Sequence, residues 1–267
     1  MRLATISFFF ASVSLVLDPS PLFGQSNQAG YVLAAQGDWK WTSKGNAKIN
    51  AGDPVVENST ARASASQAKL TIAMLDGTVK SYDCPPLNPC VAAIGPFRKP
   101  PDSLYARLSA VGKTFFTQRD AIPIYAMSRG LTAGEFQHAV LVLRDQGTDL
   151  SPAIKQLDAG SYTLRLRSLQ GPSASYSAGV TWDPPSATAV SIRNLRPGVY
   201  ELIISASDGK RIGSTPVILA TPERAPAQQM AFDEGLRIVQ SWPRETDPAA
   251  IHNFLSALLL EIGQGAP

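Results

Sequence analysis

A turn, a strand and a second turn are predicted by one stretch of the chain, Asn194-Leu-Arg-Pro-Gly-Val-Tyr-Glu-Leu-Ile-Ile-Ser-Ala-Ser-Asp-Gly209. Pro197 presets φ for the first turn, and Gly198 accepts a positive φ there. The strand that follows has period 2 and places three apolar side chains on one face: Tyr200, Leu202 and Ile204. Asp208-Gly209 then favours a hairpin turn. The stretch therefore predicts a strand between two tight turns.

The same pattern occurs earlier in the chain, between residues 156 and 171. The two segments align without a gap at an offset of 195 − 157 = 38 residues, and five pairs match: Leu157 with Leu195, Gly160 with Gly198, Tyr162 with Tyr200, Leu164 with Leu202, and Leu166 with Ile204. This offset is too short for two immunoglobulin-size domains of about 100 residues each. We therefore expect two equivalent strands inside one β-sandwich, the alternative being a chance similarity of two turn-plus-strand segments.

The pattern Leu-x-Pro-Gly-x-Tyr at residues 195–200 resembles the corner before the sixth strand of fibronectin type III and other immunoglobulin-like modules. The resemblance implies a β-sandwich over residues 119–221, in which the Tyr200 hydroxyl bonds to nearby backbone. It implies no particular ligand. This region contains no cysteine pair, which excludes an antibody-type domain with a disulfide between its sheets.

Residues 26–98 carry a second β pattern. A Gly37-Asp38 turn separates two predicted strands, and Asp76-Gly77 predicts a hairpin between an alternating strand at 68–74 and a return strand at 78–82. The order of these features resembles the periplasmic FecR-like domain at ten positions: Gly30, Val32, Gly37, Gly52, Asp53, Leu70, Ile72, Leu75, Asp76 and Gly77. The resemblance implies an extracytoplasmic β module.

The first 25 residues predict a secretory signal peptide. Arg2 supplies a positive start, residues 6–17 are apolar, and a cleavage site follows at Gly24 or Gln25. The apolar run of about 12 residues is shorter than the about 20 that a membrane-spanning helix needs, which favours cleavage over an uncleaved anchor. We expect a periplasmic or secreted product with no membrane span once the signal is removed.

The two cysteines, Cys84 and Cys90, flank a proline-rich loop. In an exported protein this spacing predicts a local disulfide that stabilises the fold by about 2 kcal/mol. A metal site needs about four ligands, usually Cys or His, and the chain has only two histidines, His138 and His252. We predict no metal and no cofactor.

Helices are expected at two places. Residues 99–118 form a linker with a short helix, in which Leu104, Leu108 and Val111 share a face. The tail, residues 222–267, predicts a helical pair, the second helix having Asp247 as N-cap and ending at Gly263. This pair packs on the sandwich in one interpretation and docks on a partner in the other.

The sequence also predicts the positions of two further strands in the sandwich region. Residues 136–143 are almost continuously apolar, which predicts a strand buried on both faces. Residues 214–219 predict a closing strand, and Pro216 within it favours an edge position. Together these patterns predict a mainly β fold: a FecR-like module, an immunoglobulin-like sandwich and a short C-terminal helical pair.

Composition and motifs favour a binding role over an enzymatic one. The net charge is only +3, and no run of Lys or Arg exceeds two residues, so no nucleic-acid surface is predicted. No catalytic motif accompanies His138 or His252. The hypothesis is an exported, non-enzymatic interaction or envelope protein with a protein partner. The alternatives are a glycan-binding module that uses Trp39 and Trp41, whose side chains share one strand face, and a hydrolase without a recognisable motif.

Overall fold

The computed structural model describes residues 27–64, 67–84, 90–117, 140–143, 148–154, 157–169, 175–183, 191–192 and 194–264. Of these residues, 40% lie in strands and 29% in helices. The predicted mainly β class with a helical C-terminal segment is therefore confirmed. The predicted signal peptide with its cleavage site lies outside the described residues, as do residues 136–139 of the predicted apolar strand, His138 among them.

The first β module consists of two four-stranded sheets. Its strands are β1 (Gln28–Gln36), β2 (Lys40–Trp41), β3 (Ala47–Lys48), β4 (Pro54–Val56), β5 (Thr60–Ala63), β6 (Lys69–Met74), β7 (Val79–Asp83) and β8 (Cys90–Ala93). The strand orders are β4-β1-β6-β7 and β3-β2-β5-β8, with antiparallel pairing throughout. Apolar side chains of both sheets form one core between them.

The turns of this module follow the predicted chemistry. Gly37, Gly52 and Gly77 all have φ near +90°, a conformation that a residue with a Cβ rarely adopts. At the β6–β7 hairpin, Asp76 Oδ1 accepts hydrogen bonds from the backbone N–H and the hydroxyl of Thr78, at 2.9 and 2.6 Å. The predicted Asp76-Gly77 hairpin is confirmed.

The second β module is built on a five-stranded sheet. Its strands are β9 (Val140–Val142), β10 (Thr148–Asp149), β11 (Gly160–Ser168), β12 (Tyr176–Trp182), β13 (Ser191–Ile192), β14 (Gly198–Ala206) and β15 (Arg211–Ala220). The order is β12-β11-β14-β15-β9, antiparallel except for the parallel pair β15–β9. β10 and β13 form a separate two-stranded sheet.

The internal repeat of the sequence corresponds to two neighbouring strands. β11 and β14 pair directly, with Leu164 opposite Ile204 and Leu166 opposite Leu202, and all four side chains are buried. The Tyr162 hydroxyl donates to the Asp158 carbonyl at 2.8 Å, and the Tyr200 hydroxyl donates to the Arg196 carbonyl at 3.0 Å. The expectation that Tyr200 bonds to nearby backbone is confirmed, and its counterpart in the repeat makes the same bond.

The described residues contain four α-helices. They are α1 (Asp102–Thr117), α2 (Ser151–Ile154), α3 (Ala225–Gln240) and α4 (Pro248–Gln264). The N-cap prediction is confirmed, because Asp247 Oδ1 accepts the backbone N–H of Ala249 at 2.9 Å. α4 ends one residue beyond the predicted Gly263, and α1 is longer than the short helix that was expected.

The last helix, α4, is buried on all sides. Its buried residues are Ala250, His252, Asn253, Phe254, Leu255, Ser256, Ala257, Leu258, Leu259, Leu260 and Ile262. It contacts α1, α3, β1, β14 and β15. One apolar cluster therefore joins Tyr31 and Leu33 of the first module, through the helices, to Val199 and Ile218 of the second. The C-terminal helices thus pack against both modules, not against the sandwich alone.

Two expectations about strand position are wrong. β9 lies at one end of the described strand order and Val142 is 37% exposed, so residues 140–142 do not form a strand buried on both faces. β15 lies between β14 and β9 and is not an edge strand. The described residues of β9 pair with Ile218–Ala220 of β15, and on the other side Pro216 lies opposite Glu201 of β14.

The contact between α3 and α4 generates a stability prediction. A Cβ at Gly235 would collide with the Leu258 side chain of α4. Overpacking costs about 1–3 kcal/mol, whereas alanine favours a helix over glycine by about 1 kcal/mol. Because the two effects oppose each other, we expect Gly235→Ala to lower the free energy of unfolding by up to about 2 kcal/mol in urea denaturation. Gly179→Ala is the matched control, since no atom lies within 4 Å of its added Cβ. Equal stability of the two variants would contradict this packing.

Candidate functional site

The two tryptophans proposed for glycan stacking lie inside the first module. Trp39 is 0% exposed and Trp41 is 3% exposed, and both belong to the core between the two sheets. Period-2 alternation places them on one face, as predicted, but the second sheet covers that face. The indoles therefore offer no stacking surface to a sugar ring, and the structure favours the alternative in which they are core residues.

The predicted disulfide is present. Cys84 follows β7 of one sheet and Cys90 begins β8 of the other, and the bond joins them across a Cα–Cα distance of 5.3 Å. Residues 85–89 between them lie outside the described residues. The bond therefore links the two sheets of the first module, which is more than the local closure expected from the spacing.

His252 lies in α4 and is 5% exposed. The helix belongs to the helical layer, by which we mean α1, α3 and α4. Burial lowers the pKa of this imidazole to about 4, because the charged form loses its hydration. The ring is therefore neutral near pH 7 and is not positioned at a surface where a substrate binds.

Two features are absent from the described segments. Within them, no group of three or more His, Cys, Asp and Glu side chains is placed to hold a metal ion. No described helix combines the length and apolarity required to cross a bilayer.

An exposed polar surface covers part of the second module, and we call it the open face. Antiparallel register places its residues side by side, with Ser161 opposite Thr181 and Arg165 opposite Ser177. All of its members are exposed: Ser161, Thr163, Arg165, Arg167, Ser177 and Thr181. Further along the same side of the sheet, Val199 and Ile218 are buried against the helices. The helical layer therefore covers one half of this side and leaves β11 and β12 exposed.

A buried carboxylate lies at the border between these halves. Glu201 is 1% exposed, and its two oxygens are 2.6 Å from Arg167 Nη2 and 2.8 Å from Arg211 Nη2. Arg211 also donates to the Ser214 hydroxyl at 2.5 Å. Both guanidinium groups remain about half exposed. Arg165 lies two residues before Arg167 on the same face of β11, so the border and the open face together carry three guanidinium groups and one carboxylate and are net positive.

A cleft of about 340 Å³ lies between α1 and the β1–β4 edge of the first module. Its lining includes Tyr31, Tyr105, Ser109, Lys113 and Phe116. The Tyr31 ring packs against the backbone of α1, where a Cβ at Gly112 would lie 2.7 Å from its Cδ1. This close approach is possible because residue 112 is a glycine.

Two buried oxygens belong to residues that line this cleft. Within the described part of the chain, the Tyr31 hydroxyl and Ser109 Oγ make no hydrogen bond. Tyr31 is 1% exposed, and burial raises the pKa of its phenol well above the usual value, so the hydroxyl keeps its proton. An unpaired buried hydroxyl costs about 1–3 kcal/mol. Sequence patterns do not reveal this site, since α1 and β1 meet only in the folded chain.

Comparison with known proteins returns no relative. No family model, no curated protein and no solved structure matches the chain significantly. The FecR-like and immunoglobulin-like resemblances therefore stay predictions.

His252 generates a pH prediction. The unfolded chain protonates this histidine near pH 6.5 and the folded chain near pH 4, so unfolding takes up a proton in between. The contribution of His252 to the free energy of unfolding is therefore fully present above pH 6.5. Between pH 6.5 and pH 4 this contribution falls by about 3 kcal/mol. We expect this part of the slope to disappear in His252→Gln, measured by urea denaturation from pH 7 to 4. Identical slopes in the two proteins would refute the assignment.

Proposed function

We propose that the chain is an exported, non-enzymatic interaction or envelope protein, and that it binds a protein partner through the open face. The observation that carries the proposal is the arrangement around Glu201. A carboxylate buried to 1% exposure fixes two half-exposed arginines at the border of a polar sheet face. Arginines held in this way lose less conformational freedom when a partner binds, and Arg is enriched at protein interfaces.

The proposal includes an immunoglobulin-like second module. The order β12-β11-β14-β15 corresponds to the C′, C, F and G strands of such modules, and the Tyr200 bond lies before the strand equivalent to F. Both features support this identity. In this reading the open face is the C′–C half of the sheet, on the side that does not form the sandwich core.

Export of a FecR-like first module is the second part of the proposal. The Cys84–Cys90 disulfide supports it, because such bonds persist in oxidising compartments and are rare in the cytosol. We place the protein in the periplasm or outside the cell on this ground together with the predicted signal peptide.

The charge of the open face defines the partner. Three guanidinium groups and one carboxylate give a positive surface, and the hydroxyls of Ser161, Thr163 and Ser177 surround it. A partner with a flat, acidic contact surface complements this arrangement. The glycan alternative is less well supported, since Trp39 and Trp41, on which it depends, are buried. The non-enzymatic part of the proposal is supported by the neutral, buried state of His252.

A charge reversal tests the proposal. A photo-crosslinking residue at Thr163, in the full chain expressed in its own host, is expected to capture one defined partner. Arg165→Glu is expected to reduce the captured yield at least about ten-fold, because it places an acidic group against the acidic partner. Lys44→Glu, at an exposed position of the first module, is the matched control and leaves the yield unchanged. Absence of a crosslink, or equal effects of the two reversals, would contradict the proposal.

A further inference from the structure

We infer that the cleft between α1 and the first module is a binding site for a small ring-containing carboxylate. This site is separate from the open face, and the inference does not depend on the proposed function. It rests on the shape of the cleft, on the charge of its lining and on the two buried hydroxyls.

The walls of the cleft suit a flat apolar ring. Tyr105 and Phe116 of α1 and Pro54 of β4 line it, with Tyr31 behind them in the core between helix and sheet. Its volume of about 340 Å³ lies within the range of about 300–1,000 Å³ that is typical of small-molecule sites. Aromatic side chains stack favourably against planar ligands. A single ring or a fused pair of rings matches these dimensions.

The charge of the lining selects an anion. Among the described residues that line the cleft, Lys113 carries the one full charge, and its side chain is exposed. The nearest carboxylate in sequence, Asp53, lies between two lining residues, but its Oδ2 accepts the Asn50 N–H in its own turn. Lys99 lies 4.8 Å from the centre of the Tyr105 ring and pairs with Asp102. A ligand carboxylate is therefore paired with the Lys113 ammonium.

Two residues that line the cleft, Tyr31 and Ser109, carry buried hydroxyls. Tyr31 is held rigidly, with its ring against Gly112 and 6.1 Å from the ring of Phe115. Its hydroxyl and that of Ser109 make no hydrogen bond to the described residues. A polar atom on the ligand ring would satisfy them and recover the energy that their burial costs. The cleft thus combines apolar walls, a cation and two unsatisfied hydroxyls.

The experiment is isothermal titration calorimetry on the full chain with indole-3-acetate, compared with its neutral amide, indole-3-acetamide. We expect the carboxylate to bind at least about ten-fold more tightly than the amide, because only the carboxylate pairs with Lys113. Lys113→Met is expected to remove this difference by weakening the carboxylate alone. Lys44→Met, which removes an exposed cation elsewhere on the first module, is the matched control and changes neither affinity.

Two further variants locate the site. Ala110→Phe fills the cleft and is expected to abolish binding of both probes. Tyr31→Phe is expected to weaken binding at least about three-fold while leaving the melting temperature of the free protein unchanged or higher, since it deletes an unpaired buried hydroxyl. Unchanged affinity in Tyr31→Phe would show that this hydroxyl takes no part in binding. Failure of both probes to bind, equal affinity for the two, or binding that survives Ala110→Phe would overturn the inference.

Discussion

The burial of α4 on every side is the constraint from which the rest of the structure follows. A helix that is apolar all round cannot leave any face in water, so other elements must surround it. Here α1, α3, β1, β14 and β15 do so. Polar bonds fix the arrangement: the Asn253 amide donates to the Leu33 carbonyl at 2.9 Å, and on α3's side the Trp242 indole N–H donates to the Gly77 carbonyl at 2.8 Å. Because the helical layer contacts both β modules, one apolar cluster around α4 joins them, in addition to the core that each module has of its own.

The same layer positions both candidate surfaces. It covers the β14–β15 half of one sheet face, which buries Glu201 at the boundary and leaves Arg165 and Arg167 exposed on β11. On the other side of the layer, α1 approaches β1 so closely that the Tyr31 ring rests on Gly112. The cleft opens beside this contact, between the Tyr105 and Phe116 side of α1 and the β1–β4 edge. The covering of an apolar helix thus determines which polar groups remain available for binding.

Local patterns predicted the local structure well. The Asp76-Gly77 hairpin, the repeated turn-strand motif and the Asp247 N-cap each depend on residues close in sequence, and each is confirmed. Alternation did not show what covers each face. Thr71 is a polar residue of the alternating strand β6, yet it is 0% exposed, on the same face as Ala73, which packs in the cluster that includes the helices. Glu201 is likewise a polar strand residue that is buried. Trp39 and Trp41 share one face, as predicted, but that face lies in the core and not at the surface. The cleft joins residues distant in sequence, and no local pattern predicts such a contact.

The apolar cluster that joins the two modules is tested most directly by differential scanning calorimetry of the full chain. The account predicts one transition whose calorimetric and van't Hoff enthalpies agree, since both β modules lose the apolar cluster around α4 when that helix leaves. Two separated transitions, one for each β module, would contradict it.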